Sequence, residues 1–319
     1  ALGPRARRDE PLAHHTAMRV GGPADVLIVC ESVGEVVRSV GVARRHDVPW
    51  RLLGGGCNVL VADNGIRGLV IVNRAARIEF APQAPHAVGG AVTANLKSMM
   101  VRAEAGALLS VLAHETVERG LAGLEWASGL PGTVGGAVVG NAGAFEGDIA
   151  SVLRSATVLE PGGEVLERPA EWFEFEYRGS RIKRRESRPP SFPPVGGDEG
   201  GGYVVLAAIF DLRPGEPEAL AARADEILEW RRTRHPSGAT MGSTFKNPPG
   251  SHAGYLIEQT GLRGYCIGGA QISELHGNFF MNTGGATAAD VLALIQHARA
   301  EVKRQFGVEL ELEIELVGW

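Results

Sequence analysis

Glycine constrains the fold of this chain more than any other residue. There are 44 glycines in 319 residues, roughly twice the usual share. They cluster at Gly54-Gly55-Gly56, from 129 to 147 and from 261 to 285. Clustered glycine marks backbone at positive φ, or backbone that comes very close to a ligand or to another segment. The stretch 196–202 fits an ordinary turn instead, because it lies in a Pro/Gly-rich linker with no polar cluster around it.

The length allows two or three domains. A net charge of −5 argues against a nucleic-acid surface. No apolar run is long enough to span a bilayer, so no membrane insertion is expected. The first ten residues are charged and lack the apolar centre of a secretory leader. Cys30, Cys57 and Cys266 show neither CxxC nor disulfide-framework spacing, which suits reduced thiols in a cytoplasmic protein.

Residues 25–30 read as a buried strand, and Ser32 with Glu35 as a capping box that opens a helix striped by Val33, Val36, Val37 and Val40. Strands at 50–53 and 69–72 complete a small βαβ-type unit. A helix near 107–119 is closed by Gly120. Residues 156–160 and 204–210 read as sheet, 188–202 as a mobile loop, and 217–231 as a helix. Thr287 and Asp290 cap a last long helix, with a stripe of Val291, Leu294, Ile295, Ala298 and Val302 and a stop at Gly307. Residues 308–317 alternate as a strand, with Glu309, Glu311, Glu313 and Glu315 on one face. The fold class is α+β. The expected domains are 1–75, 76–216 with the terminal strand 308–319 returning to it, and 217–307.

Several segments carry possible chemistry. Gly242-Ser243-Thr244-Phe245-Lys246-Asn247-Pro248 holds one small hydroxyl in a glycine-flanked turn beside a cation and an amide. Alone it also fits a surface turn whose serine bonds its own backbone. The Gly54–Asn58 loop follows a strand without opening a helix, which excludes the dinucleotide fingerprint and leaves a glycine nest for phosphate. The run from Gly129 to Ala144 offers a backbone surface on which a planar ligand could lie, or a tight crossing of strands. His114-Glu115-x-x-Glu118 lacks the second histidine of a zinc site, and no metal site is expected.

Six segments occur in order: His15-Thr16-x-x-Arg19-Val20-Gly21-Gly22-Pro23-Ala24, Gly54 to Asn58, Ser128 to Gly147, Tyr177-Arg178-x-Ser180, Gly242 to Pro248, and Gly268 to Asn282. Together they resemble the UDP-N-acetylenolpyruvoylglucosamine reductase (MurB) family over nearly the whole chain. The resemblance implies an FAD-binding fold of the vanillyl-alcohol-oxidase/PCMH type in two subdomains, plus a smaller α+β substrate-binding domain. It implies non-covalent FAD, NADPH as co-substrate, and reduction of UDP-N-acetylglucosamine enolpyruvate to UDP-N-acetylmuramate. It points to no obligate protein partner, and to the subclass without a tyrosine-bearing lid loop.

The resemblance also assigns roles. Ser243 matches the proton donor to C2, Arg178 the arginine that holds the substrate carboxylate, and Glu313 a glutamate near that carboxylate. For FAD it points to Arg19, Gly21, Gly54, Gly55, Gly56, Cys57, Asn58, Gly129, Gly132, Thr133, Gly135, Gly136, Asn141, Ala142 and Gly143. For the nucleotide sugar it points to Tyr177, Arg234, Lys246, Asn247, His276 and Asn278. Cys57 departs from the family's usual serine, and Gly179 from a common acid. Two other readings are an FAD-dependent sugar-alcohol oxidase of the same fold and a non-catalytic module that binds a nucleotide sugar or flavin.

Overall fold

The computed structural model describes residues 3, 5–82, 87–88, 91–92, 99–186 and 202–319. The expected loop at 188–202 lies outside the described residues, apart from Gly202. The chain forms two compact units. The first gathers residues 1–29, 46–72 and 229–319, and the second residues 30–45 and 73–228.

In the first unit, a four-stranded sheet runs in the order Arg7–Pro11, Pro23–Cys30, Ile66–Asn73, Trp50–Leu53. The last two strands are parallel; the stretch 54–65 that joins them holds the short strand Val59–Val61 and no helix, so they are not the helix-linked pair of the expected βαβ unit. Leu12, Ala24, Leu27, Leu53, Val61 and Val70 form its core. A second sheet is antiparallel, ordered Ala239–Ser243, Phe279–Asn282, Ala270–Ile272, Cys266–Ile267. The helix Ala288–Phe306 covers it and buries Val291, Leu294, Ile295, Ala298 and Val302 against Phe245 and Phe280. The expected capping box is present: Thr287 accepts from the Asp290 amide, Asp290 accepts in return, and Gly307 ends the helix in the left-handed region. Asp63 also accepts from the Ala288 and Ala289 amides at 2.8 and 2.9 Å. Two of the helix's open donors are thereby satisfied from a distant loop.

The C-terminal strand corrects the expected domain plan. Glu315–Val317 pairs in parallel with Val59–Val61 of the first unit and does not return to 76–216. The ten-residue alternating strand is also shorter than its pattern suggests. Residues 311–313 bond the segment 244–246, through Lys246 N–H to the Glu311 carbonyl and Glu313 N–H to the Thr244 carbonyl. Glu315 then donates to the Asn58 carbonyl. The change of partner interrupts a strand that is continuous in hydrophobic pattern.

The second unit is built on an antiparallel sheet ordered Val165–Pro169, Leu153–Leu159, Val204–Pro214, Met99–Glu104, Ile78–Pro82. The helices Leu109–Glu118 and Val134–Gly140 belong to this unit, and their buried residues join its core with Val101, Phe173 and Phe210. The helix Val33–Arg45 belongs to the same unit, with Val36 and Val40 buried. Its cap differs from the expected box: Ser32 accepts from the Glu35 amide, while the Glu35 carboxylate accepts from Glu31.

Candidate active site

In the first unit, Ser243 ends the strand Ala239–Ser243 and is half-buried. This replaces the expected turn. The pairing with Phe279–Asn282 is regular at Ala239 and Thr240, slips, and resumes at Ser243 opposite Phe279. Gly242 sits at the slip with φ 74°, the geometry of a glycine bulge. A bulge re-aims the side chain that follows it, and here that side chain is the candidate acid.

Glu313 is placed by two bonds to its backbone. Its N–H donates to the Thr244 carbonyl at 2.9 Å, and its own carbonyl accepts from the side-chain Nδ2 of Asn58 at 3.0 Å. The glycine loop, Glu313 and the Ser243 segment are thus one connected set. The other three glutamates of the stripe are held by cations: Glu309 by Arg299 and Lys303, Glu311 by Lys246 at 3.4 Å, and Glu315 by Arg51. Position across from Thr244 distinguishes Glu313 from them.

The remaining candidates of this unit divide between scaffold and surface. Asn278 is 3% exposed and grips Phe245, accepting from its amide at 2.9 Å and donating to its carbonyl at 2.8 Å. Such a side chain faces the protein. Asn247 is exposed, and its Oδ1 accepts from Ala253 at the start of the helix Ala253–Gln259. Lys246 is half-buried, and the Arg234 guanidinium lies 5.2 Å from the Trp230 ring centroid. Arg19 is exposed at φ 55°, and Asn282 donates to the Met18 carbonyl just before it. A Cβ on Gly21 would come 2.8 Å from Val61 Cβ, and one on Gly56 would overlap the His15 carbonyl oxygen. These two glycines allow segments to cross closely. Cys57 donates from its thiol to the Gly55 carbonyl at 3.4 Å.

In the second unit the long glycine run divides into positions that pack tightly and positions that stay open. Gly135 is buried and a Cβ there would lie 2.8 Å from Ala105 Cβ, while Gly143 crosses tightly over Gly147 and Asp148. Gly132 and Gly140 instead have no atom within 4 Å of where a Cβ would stand. Gly136 is exposed, with only the Thr133 hydroxyl at 3.7 Å. Thr133 is the helix N-cap, yet its side chain makes no capping bond. This open backbone surface fits a planar group that bonds to main chain, as the flavin of FAD would. Asn141, left-handed at φ 43°, donates to the Glu176 carbonyl and accepts from Ala150, so its amide is structural.

Tyr177 and Arg178 form the tip of a tight hairpin closed by reciprocal Glu176–Gly179 backbone bonds of 3.1 Å. Arg178 has φ 56°, and its guanidinium stands 5.3 Å from the Tyr177 ring centroid. A non-glycine residue held there stores backbone strain, a recurrent feature of functional sites. Ser180 is buried and donates to the Val139 carbonyl at 2.6 Å, which together with Asn141 ties the hairpin to the glycine run. The role of Ser180 was visible in the sequence only as spacing within Tyr177-Arg178-x-Ser180.

His235 and His276 pack together with ring centroids 5.7 Å apart, and Phe279 lies against both. Burial is the main cause that lowers the His235 pKa from its ordinary 6.5 to about 4, with Arg231 and His276 adding to it. Burial lowers His276 as well. Between pH 6.5 and 4 the unfolded chain therefore binds more protons than the folded one. The His235 contribution to stability is complete above pH 6.5 and is lost as pH falls through that window, by up to about 1.4 kcal/mol per pH unit; His276 acts in the same direction. Thermal melts should show this slope, and His235→Phe should flatten it above pH 5, where most carboxylates are still ionised. An unchanged slope in His235→Phe would exclude this origin.

Among the described residues, no group of three or more His, Cys, Asp or Glu side chains could hold a metal ion, and no helix is long and apolar enough to cross a membrane.

The chain has the fold of an FAD-dependent oxidoreductase, and the FAD binding domain family model matches residues 24–168. The model for the UDP-N-acetylenolpyruvoylglucosamine reductase C-terminal domain matches residues 234–317. The UDP-N-acetylenolpyruvoylglucosamine reductase of Rubrobacter xylanophilus is 43% identical over 317 residues, covering 99% of this chain and 97% of that protein. The Bacillus subtilis reductase is 38% identical over 311 residues, covering 97% and 93%. The crystal structure of the Thermus caldophilus reductase superposes with a TM-score of 0.75 at 32% identity, covering 98% of this chain and 99% of that one. The chain belongs to the UDP-N-acetylenolpyruvoylglucosamine reductase family.

Proposed function

We propose that this chain reduces UDP-N-acetylglucosamine enolpyruvate to UDP-N-acetylmuramate with electrons from NADPH, in the cytoplasm, as a step towards peptidoglycan precursors. The observation that carries this reading is the run of bonds from the Asn58 side chain through the Glu313 backbone to the Thr244 carbonyl, which ties the residue after Ser243 to the Glu313 segment and the glycine loop. The relatives' names and their near-complete coverage support it.

Bound FAD would supply a hydride to C3 of the enol ether. Ser243 then gives its proton to C2. A serine alcohol is a weak acid, but a carbanion beside a carboxylate is a strong base, so the transfer runs downhill. Arg178 grips the substrate carboxylate with a planar fork that stays charged at any working pH. Glu313 lies close to that carboxylate, and two carboxylates held together favour a proton on one of them. Lys246, with Arg234, offsets the charge of the diphosphate. Gly132, Thr133 and Gly136 present the backbone on which the flavin rests, and the Gly54–Asn58 loop takes FAD phosphate through its N–H groups. We place the chain in the subclass without the tyrosine-bearing lid.

Anaerobic stopped-flow spectroscopy of the FAD-loaded protein tests the reading. NADPH should bleach the flavin, and the enolpyruvyl sugar should restore its colour with one product formed per flavin. Fast recovery in air, combined with no response to the enolpyruvyl sugar, would favour the oxidase and overturn the reductase.

A further inference from the structure

We infer that Asn278 is the positioning residue for the Ser243 hydroxyl, with His276 as the group that fixes Asn278. The inference rests on Ser243 as the proton donor in the reading above and adds how that donor is held.

Ser243 follows a bulge that re-aims its side chain, and its backbone pairs with Phe279, the residue next to Asn278. Asn278 supplies three hydrogen bonds to the two residues directly after Ser243. Its backbone carbonyl accepts from the Thr244 amide at 2.9 Å, its Oδ1 from the Phe245 amide at 2.9 Å, and its Nδ2 donates to the Phe245 carbonyl at 2.8 Å. Phe245 is fully buried, so the clamp is anchored in the core.

The Asn278 backbone N–H in turn donates to His276 Nδ1 at 3.1 Å. A ring nitrogen accepts only when it carries no proton, so this bond needs neutral His276 with its hydrogen on Nε2. The ring has little room to turn, since a Cβ on Gly254 would come 2.7 Å from His276 Cε1, and Phe279 and His235 pack against it. The charged and titratable groups around it are Glu258, which favours the protonated ring, Arg263, which opposes it, and His235, which has Arg231 beside it. Protonation of His276 converts the acceptor into a donor facing the Asn278 N–H and loosens the clamp.

Asn278→Asp keeps the volume and the acceptor for Phe245 N–H but sets an oxygen against the Phe245 carbonyl. The Phe245 amide should then exchange with solvent at least about tenfold faster, a readout that needs no cofactor. In the FAD-loaded protein, recovery of the flavin by the enolpyruvyl sugar should slow by about 10²-fold, as expected for a displaced reacting group, while NADPH bleaching stays within about twofold. Adding Asn278→Asp to Ser243→Ala should slow recovery little beyond Ser243→Ala alone, since both act through one hydroxyl. Equal slowing of both half-reactions, or multiplied effects in the double variant, would overturn the inference. If Ser243→Ala itself leaves recovery unchanged, the proton-donor reading fails; if it slows recovery and Asn278→Asp does not, only this inference fails. Should Asn278→Asp not fold, the wild type and His276→Gln decide. The wild-type Asn278 amide should lose exchange protection as pH falls below the ordinary histidine value of about 6.5, after correction for intrinsic rate, and an acidic limb of recovery should vanish in His276→Gln. Protection that holds over that range would overturn the inference.

Discussion

Ser243→Ala should leave NADPH bleaching of the flavin intact and slow its recovery by the enolpyruvyl sugar by about 10²–10⁴-fold, the span of general acid catalysis. That corresponds to roughly 3–5 kcal/mol of barrier. The substitution removes one oxygen at the end of a strand. Pairing with Phe279 and the bulge at Gly242 are backbone features that alanine preserves. The split between half-reactions is the diagnostic part. NADPH reduction needs no proton at C2, so a lost acid cannot slow it. Stopped-flow measurement of each half-reaction reads the two separately. Equal slowing of both would make Ser243 a structural residue and would remove the chemical basis for grouping it with Glu313.

Gly65→Ala should destabilise the protein by about 3 kcal/mol or more in urea unfolding, through overpacking added to backbone strain. Gly65 has φ 75°, and a Cβ there would overlap the Pro23 carbonyl oxygen. A Cβ on Gly22 would overlap the Asp63 carbonyl, and one on Gly318 the Gly65 carbonyl. Three distant segments therefore cross with backbone against backbone. Ala62 connects them, accepting from Gly22 and Gly65 and donating to Val317, each at 2.9 Å. None of the Cβ overlaps can be relieved by turning a flexible side chain. Gly163→Ala is the comparison: its φ is 101° but nothing lies within 4 Å of the added carbon, so only the conformational cost of about 1–2 kcal/mol applies. Equal losses in the two variants would mean that the crossing is not as tight as described.

Local signals in this chain were legible because they act over three or four residues. Thr287 and Asp290 cap one helix and Gly120 and Gly307 follow the ends of two, since a cap is a contact between near neighbours. The buried stripes of the helices at 33–45 and 288–306 follow from the same short period. The motif around Ser243 was also readable, although it read as a turn, because no sequence rule reports that Met241–Gly242 would be a bulge in a paired strand.

The sequence by itself determined the long helices, the caps of the last one, the family and the residue types available for acid, cation and glycine cradle. Only the tertiary structure decided how they are used. It bonded the Glu313 backbone to the Thr244 carbonyl and to the side chain of Asn58, 255 residues away in the chain. It divided one glycine run into positions that pack, such as Gly135, and positions that stay open, such as Gly132. It turned Asn278 inwards and sent the last strand to Val59–Val61. Every residue offers the same backbone groups, so which distant backbone a strand or an asparagine side chain will bond leaves no mark on local pattern and is settled when the cores pack.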